Sequence, residues 1–343
     1  MLCADSICFV RQPSHPLDMR LLTCMAVVFT ATVVSAQTPL FVPDSGANAF
    51  RVPLTDRQQA VVDILSSELG VEAVEIVRVD EGVLSGQTAL VSLAFPGATF
   101  DLATASTKRL ASGHRAWTGR RDMVLSALVE RDGMVTGSVR QGGYLYEIRP
   151  MTGGLHAIAR KSLASYRQHA DDYESVIASQ PQRVDPPAGG GTAGAGMGAE
   201  LHGHDHEAHP GHDARSVASP TVVDILVPYT ENISAAYGDP DGLAQSFITF
   251  TNAVYANSDI DITLNLVHSY ETPYESSGDL SGDLSSLRST TDGIMDDVHD
   301  NRDAYGADLV ALIATTNTFG FCGIAYVNPG ASGAFSVNSG GCG

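Results

Sequence analysis

Apolar and polar positions change their period several times along this chain. From Thr55 to Glu68, the apolar residues Ala60, Val61, Ile64 and Leu65 recur at helical spacing and predict one amphipathic helix. The next hundred residues favour a period of two. Ala89 to Phe95, the turn Pro96-Gly97 and Thr99 to Ala103 predict a hairpin, because proline presets the first central turn position and glycine accepts positive φ at the second. Met134 to Arg140, Gly142-Gly143 and Tyr144 to Arg149 predict another. Its second strand puts Tyr144, Tyr146 and Ile148 on one face and Leu145, Glu147 and Arg149 on the other, the pattern of a half-buried antiparallel sheet.

A different rhythm begins near residue 221. Thr221 to Val227 is an apolar strand, and Asp239-Pro240-Asp241 signals a helix over Asp241 to Asn257 with Leu243, Phe247, Phe250 and Val254 at helical spacing. Ile262 to Val267 is the next strand. Leu284, Leu287, Ile294 and Val298 mark a helical stretch interrupted near Gly293, and Asp308 to Ala314 is the most apolar strand. This alternation predicts an α/β unit: a mainly parallel sheet with covering helices. Between the two regions, about 181 to 220, the run Pro186-Pro187-Ala188-Gly189-Gly190-Gly191 opens a segment too rich in Gly and Ala to pack a core. It reads as an exposed, protease-sensitive linker.

Composition is that of a globular protein, with 43% hydrophobic residues. A formal net charge of -19 argues against nucleic acid as a partner, since phosphate binding needs clustered Lys and Arg. Most of the charge sits late: Ser216 to Gly343 holds 16 Asp plus Glu against only Arg288 and Arg302, a net -14. Near the N-terminus, Met19-Arg20 leads into the 14-residue apolar run Leu21 to Val34, then Val34-Ser35-Ala36 and Gln37. That is the layout of a secretory signal cleaved after Ala36, and the run is short of the roughly 20 residues a spanning helix needs. The expectation is a secreted protein, extracellular or periplasmic, with no membrane span in the mature chain. Cys3, Cys8 and Cys24 leave with the signal. Export to an oxidising compartment then favours a disulfide between Cys322 and Cys342 over a free pair.

Several segments resemble reprolysin-like (adamalysin-like) zinc metallopeptidases of the metzincin clan. In order they are Val223-Asp224-Ile225-Leu226-Val227-Pro228-Tyr229, Asn252 and Tyr255, Ala307-Asp308-Leu309-Val310, and Cys322-Gly323-Ile324-Ala325-Tyr326-Val327. Ahead of them, Gly137-Ser138-Val139, Tyr144 to Pro150 and Gly154 to Ile158 resemble the pro-region of such enzymes. The resemblance implies a zymogen: signal 1–36, β-rich pro-region 37–180, linker 181–220, and the N-terminal part of an α/β metzincin-like catalytic domain over 221–343. It implies a pro-region packed on the catalytic domain and protein or peptide substrates. It also makes Gly323, Ile324, Ala325 and Tyr326 part of the edge strand bordering the cleft, where a substrate peptide adds as a further strand. Phe335-Ser336-Val337 is expected to continue that rim.

The same resemblance implies Zn²⁺ held by three His, with a Glu that takes a proton from metal-bound water, in the pattern His-Glu-x-x-His-x-x-Gly-x-x-His. That spacing does not occur in these 343 residues. The sequence stops at Gly343 before such a helix, so the expectation is a C-terminally truncated precursor, inactive alone. The nearest string, His206-Glu207-Ala208-His209, is one residue short, and the Gly and Pro around it oppose a helix. No Cys lies in 37–180, which excludes a thiolate-on-zinc latency switch.

Three further groups bear on metals. His202, His204, His206, His209 and His212 could bind Zn²⁺, Cu²⁺ or Ni²⁺ as a flexible site, against the blander reading of a polar linker of biased composition. Asp224 and Asp308 match positions where some relatives place calcium ligands, against a reading as solvated strand-end carboxylates. Asp279, Asp283, Asp292, Asp296, Asp297 and Asp300 read as a solvated acidic face, and His268 and His299 as structural. The rival function is a secreted non-catalytic binding protein, or a metal-binding protein using the His-rich linker. A von Willebrand A-type binding module is disfavoured, because Pro228-Tyr229-Thr230-Glu231 stands where its Asp-x-Ser-x-Ser loop belongs.

Overall fold

A computed structural model describes residues 39–43, 53–85, 89–122, 124–167, 221–315, 322–326 and 330–342. The signal segment and the whole linker 181–220, including His202 to His212, lie outside the described residues. Gln37–Gly343 form one compact unit.

The period-two region builds a nine-stranded antiparallel sheet: β1 (Phe41–Pro43), β2 (Val71–Val79), β3 (Leu90–Phe95), β4 (Ala98–Arg109), β5 (Arg115–Arg121), β6 (Val124–Arg131), β7 (Met134–Gln141), β8 (Tyr144–Pro150) and β9 (Leu155–Ser162). Their order is β1-β2-β9-β8-β7-β6-β5-β4-β3. The two ends approach each other: Leu40 N donates to Ser92 O at 2.8 Å, and the Phe41 and Phe95 rings lie 5.5 Å apart. The sheet is therefore nearly a barrel, and near-closure hides most of the edge that an open sheet would expose. Leu93, Leu102, Trp117, Leu128, Val139 and Ile148 fill its core. Both predicted hairpins form. Gly97 turns with φ +75°, while Gly142 and Gly143, at φ +59° and +85°, make the two-residue turn whose twist suits a hairpin. The predicted helix is α1 (Asp56–Ser67), started by a capping box between Thr55 and Gln58; α2 (Glu81–Ser85) and α3 (Leu163–Arg167) are short.

One expectation needs correcting. The second hairpin is not half-buried: the Leu145, Glu147 and Arg149 face is also covered, with Glu147 only 3% and Arg149 0% exposed. The physical reason is that the C-terminal unit packs over this face.

That unit comprises β10 (Thr221–Tyr229), α4 (Glu231–Ala236), α5 (Pro240–Asn257), β11 (Ile262–Glu271), α6 (Leu280–Arg288), α7 (Asp297–Tyr305), β12 (Leu309–Ala314), β13 (Gly323–Ala325) and β14 (Phe335–Ser339). The strand order is β11-β10-β12-β14-β13, parallel except for the antiparallel β13–β14 pair. Alternate residues of the buried strands feed two cores. Ile225, Val227 and Ile313 meet α4 and α5 through Ile233, Leu243 and Ile248, while Leu226, Leu312 and Val337 meet α6 and α7 through Leu284, Leu287 and Val298. Asp239 caps α5 by accepting from Gly242 N at 3.1 Å, with Pro240 in the first turn as expected. The interruption near Gly293 is real: Gly293 and Met295 both take positive φ between α6 and α7.

The acidic face is only partly solvated. Asp283 is fully buried and accepts from Tyr274 Oη at 2.7 Å and Ser276 Oγ at 2.6 Å; Asp297 accepts from Tyr270 Oη at 2.9 Å; Asp279 caps α6. Hydroxyls of β11 and of the segment after it hold Asp297 and Asp283 inward. Phe335 to Val337 is likewise not a rim but an inner strand, because β14 pairs with β12 on one side and β13 on the other.

Candidate functional site

Among the described residues β13, with Gly323, Ile324 and Ala325, is the edge of the five-stranded sheet, and Tyr326 directly follows it. Ser339 N donates to Cys322 O at 2.8 Å. In an antiparallel ladder this fixes the alternation: Cys322 and Ile324 turn their backbone groups to β14, and Gly323 and Ala325 turn theirs outward. Gly323 and Ala325 are exposed. Ile324 and Tyr326 pack towards the α6–α7 core. Gly323 lies so close to β14 that a Cβ would stand 2.9 Å from Asn338 Oδ1. The opposite edge of the sheet is treated differently. Asn252 Nδ2 donates to Leu264 O at 2.8 Å, and Asn252 Oδ1 accepts from Leu264 N at 2.7 Å, so one side chain satisfies both outward backbone groups of that residue on β11. On the α5 face, Ser336, Asn338, Phe247 and Phe250 help line a cavity of about 400 Å³ beside Cys322.

A second constellation joins the barrel to the α/β unit. Arg149 reaches Glu68 Oε1 at 2.5 Å and Glu147 Oε1 at 2.6 Å; Lys161 Nζ reaches Glu68 Oε2 at 2.5 Å, Glu147 Oε2, and the Gly341 carbonyl at 2.7 Å. From the other side, the Tyr237 hydroxyl lies 2.5 Å from Gly340 O and 2.9 Å from Glu147 Oε1, under the Arg149 guanidinium at 4.0 Å. Burial would raise the Glu147 pKa, but Arg149 and Lys161 hold it well below the usual carboxylate range. Burial pushes the Tyr237 hydroxyl well above its ordinary value, keeping it a neutral donor. The strand period sets Glu147 and Arg149 two apart on one face, which brings the pair together but does not by itself turn it inward. A smaller contact repeats the theme, with Arg131 Nη2 at 2.6 Å and His114 Nε2 at 3.5 Å from the buried Asp239 carboxylate.

The donors present do not fit the zinc that a reprolysin-like domain needs. Among the described residues, no group of three or more His, Cys, Asp or Glu side chains is placed to hold a metal. His156 Nε2 accepts from Val135 N at 2.9 Å, His299 Nε2 lies 2.7 Å from Ser289 O, and His268 is stacked between Tyr270 and Tyr305. Asp224 and Asp308 do not form a calcium cluster. Asp224 Oδ1 accepts from Asn265 Nδ2 at 2.8 Å, and Asp308 Oδ2 accepts from Asp224 N at 2.9 Å, so the pair pins the starts of three strands. Cys322 lies next to β13, exposed; the Cys342 side chain lies outside the described residues.

Residues 243–342, from within α5 to beyond the end of β14, match the family described as Metallo-peptidase family M12B Reprolysin-like. Among individual relatives, the chain is similar to the protein named "Peptidyl-Asp metalloendopeptidase" of Xanthomonas campestris pv. campestris, at 26% identity over 318 residues, 88% of this chain and 70% of that protein. A Stenotrophomonas maltophilia protein of the same name is 30% identical over 223 residues, 64% of this chain. The match spans about half (47%) of that relative's length. Among solved structures, metalloproteinase-II from Bacteroides fragilis aligns over 76% of this chain and 78% of its own at 14% identity, with a TM-score of 0.38, too low to carry an argument.

Proposed function

We propose that this chain belongs to a secreted reprolysin-like metalloendopeptidase made as a zymogen. Residues 1–36 direct export, the barrel is the pro-region, and the α/β unit begins the peptidase domain. The observation that carries this reading is β13, a strand paired on one side only among the described residues, inside the segment that matches the family. A peptide laid along it gains hydrogen bonds from the outward groups of Gly323 and Ala325, and its side chains alternate between the two faces of the sheet. The names of the relatives support protein or peptide substrates with an Asp at the site of attack. The buried contacts of Lys161 and Glu147 with the α/β unit support a pro-region packed on the domain it accompanies. Export to an oxidising compartment supports a Cys322–Cys342 disulfide bracketing β13 and β14.

Peptide hydrolysis in this family depends on zinc-activated water, and the donors described above do not supply its ligands. The residues present hold a peptide; no catalytic step is assigned to them. The test is anisotropy of a labelled extended peptide on residues 37–343, with and without Ala325→Pro. Proline removes an outward N–H without touching the β14 pairing. Wild type should bind the peptide and release it intact, and the variant should lose most of the affinity. Equal binding by both proteins would remove β13 as the substrate edge.

A further inference from the structure

We infer that Arg288 is the residue that selects an acidic side chain in a peptide held along β13. The inference rests on the reading of β13 as the substrate edge. Arg288 closes α6 and lays its guanidinium over the ring of Tyr326, 4.9 Å from the centroid. Tyr326 directly follows β13, so this cation stands at the border where the peptide would add. Ile324 and Tyr326 both face the α6–α7 side. Every second side chain of an added strand therefore points to the face that carries Arg288, and the alternate ones point to the face of the cavity beside Ser336 and Asn338.

The state of Arg288 fits this role. It is exposed and makes no hydrogen bond or ion pair among the described residues. Stacking on an aromatic face fixes the plane of a guanidinium and leaves its peripheral N–H donors free, a fork that matches the two oxygens of a carboxylate. The only other Lys or Arg between Ser216 and Gly343 is Arg302, and it is engaged elsewhere: Nε donates to Ala307 O at 3.2 Å and Nη2 to Asp308 O at 2.8 Å. Around both lies a unit of net charge -14, whose field disfavours an acidic peptide. Acceptance of Asp on such a surface calls for a local cation, and on the α6–α7 face of β13 Arg288 stands with donors to offer.

Two labelled extended peptides, identical except for Asp or Asn at one position, are titrated into residues 37–343 at fixed salt. Wild type should bind the Asp peptide about 10-fold more tightly than the Asn peptide, as a charge-assisted pair allows. Arg288→Ala should erase the difference by weakening the Asp peptide far more than the Asn peptide, and Arg288→Lys should restore only part of it, lacking the fork. Equal binding of the two peptides by wild type, or a preference that survives Arg288→Ala, overturns the role of Arg288 and leaves the edge reading standing. Failure of both peptides to bind overturns the two together.

Discussion

Single residues set the acid limits of this protein, and His156 shows how. Its ring is buried in the barrel wall and accepts the Val135 N–H, so burial disfavours the charged form and lowers its pKa from 6.5 to about 4. A base whose folded pKa is depressed takes up a proton more readily when unfolded. Stability should therefore be full above about pH 6.5 and fall as the pH drops towards 4, by up to about 3 kcal/mol at 1.4 kcal/mol per unit. His156→Gln keeps an acceptor for Val135 but does not titrate, and it should flatten this part of the profile. Denaturant midpoints at pH 7.5, 5.5 and 4 for both proteins test the assignment; parallel profiles would remove it.

At the level of elements, the two edges of the α/β sheet have opposite chemistry. Asn252 covers the outward groups of Leu264 on β11 with both ends of its amide, while the outward groups of β13 have no such cover among the described residues. An edge that is capped resists pairing with another strand, and one that is open invites it. Asn252→Ala should cost about 1–3 kcal/mol by leaving two part-buried backbone groups unsatisfied. A thermal midpoint unchanged from wild type would show that water replaces the amide. Much of this level was legible in the sequence. Hairpin turns at Pro96-Gly97 and Gly142-Gly143, the helix begun near Thr55 and the start of α5 are local signals, and all four lie where the sequence pattern put them. Closure of the nine strands was not legible, because Leu40 meets Ser92 across 52 positions and no local pattern encodes that meeting. Nor was the inward turn of Glu147, Arg149 and Asp283. Polarity predicts exposure for a lone charge, and only the partner brought from far along the chain reverses it.

For the whole molecule, the question is what keeps barrel and α/β unit together once the segment between them is cut. Long-range attraction is weak: residues 39–167 carry 14 Lys plus Arg against 13 Asp plus Glu, nearly neutral beside the -14 of the C-terminal unit. The buried network then has to carry the association, through Lys161 on Gly341 O and Tyr237 on Glu147 and Gly340 O. Removing one member of such a network leaves a buried charge uncompensated, which costs about 3–5 kcal/mol. A specific protease site placed between Pro186 and Gly198 allows the full chain to be cut after folding. The two pieces should co-elute at neutral pH. Glu147 has a depressed pKa, so its contribution is fully present above its ordinary value near 4.5 and is lost as the pH falls towards 2; separation is expected in that window. Lys161→Met, which abandons Glu68, Glu147 and the Gly341 carbonyl at once, should separate the pieces already at neutral pH. Tyr237→Phe, losing one hydroxyl, should move the separation to higher pH without abolishing co-elution. If the pieces part at neutral pH in wild type, or if Lys161→Met co-elutes as wild type does, the apolar contact of α5 with β6 and β7 is the true seat of the association and the charged network only sets its register.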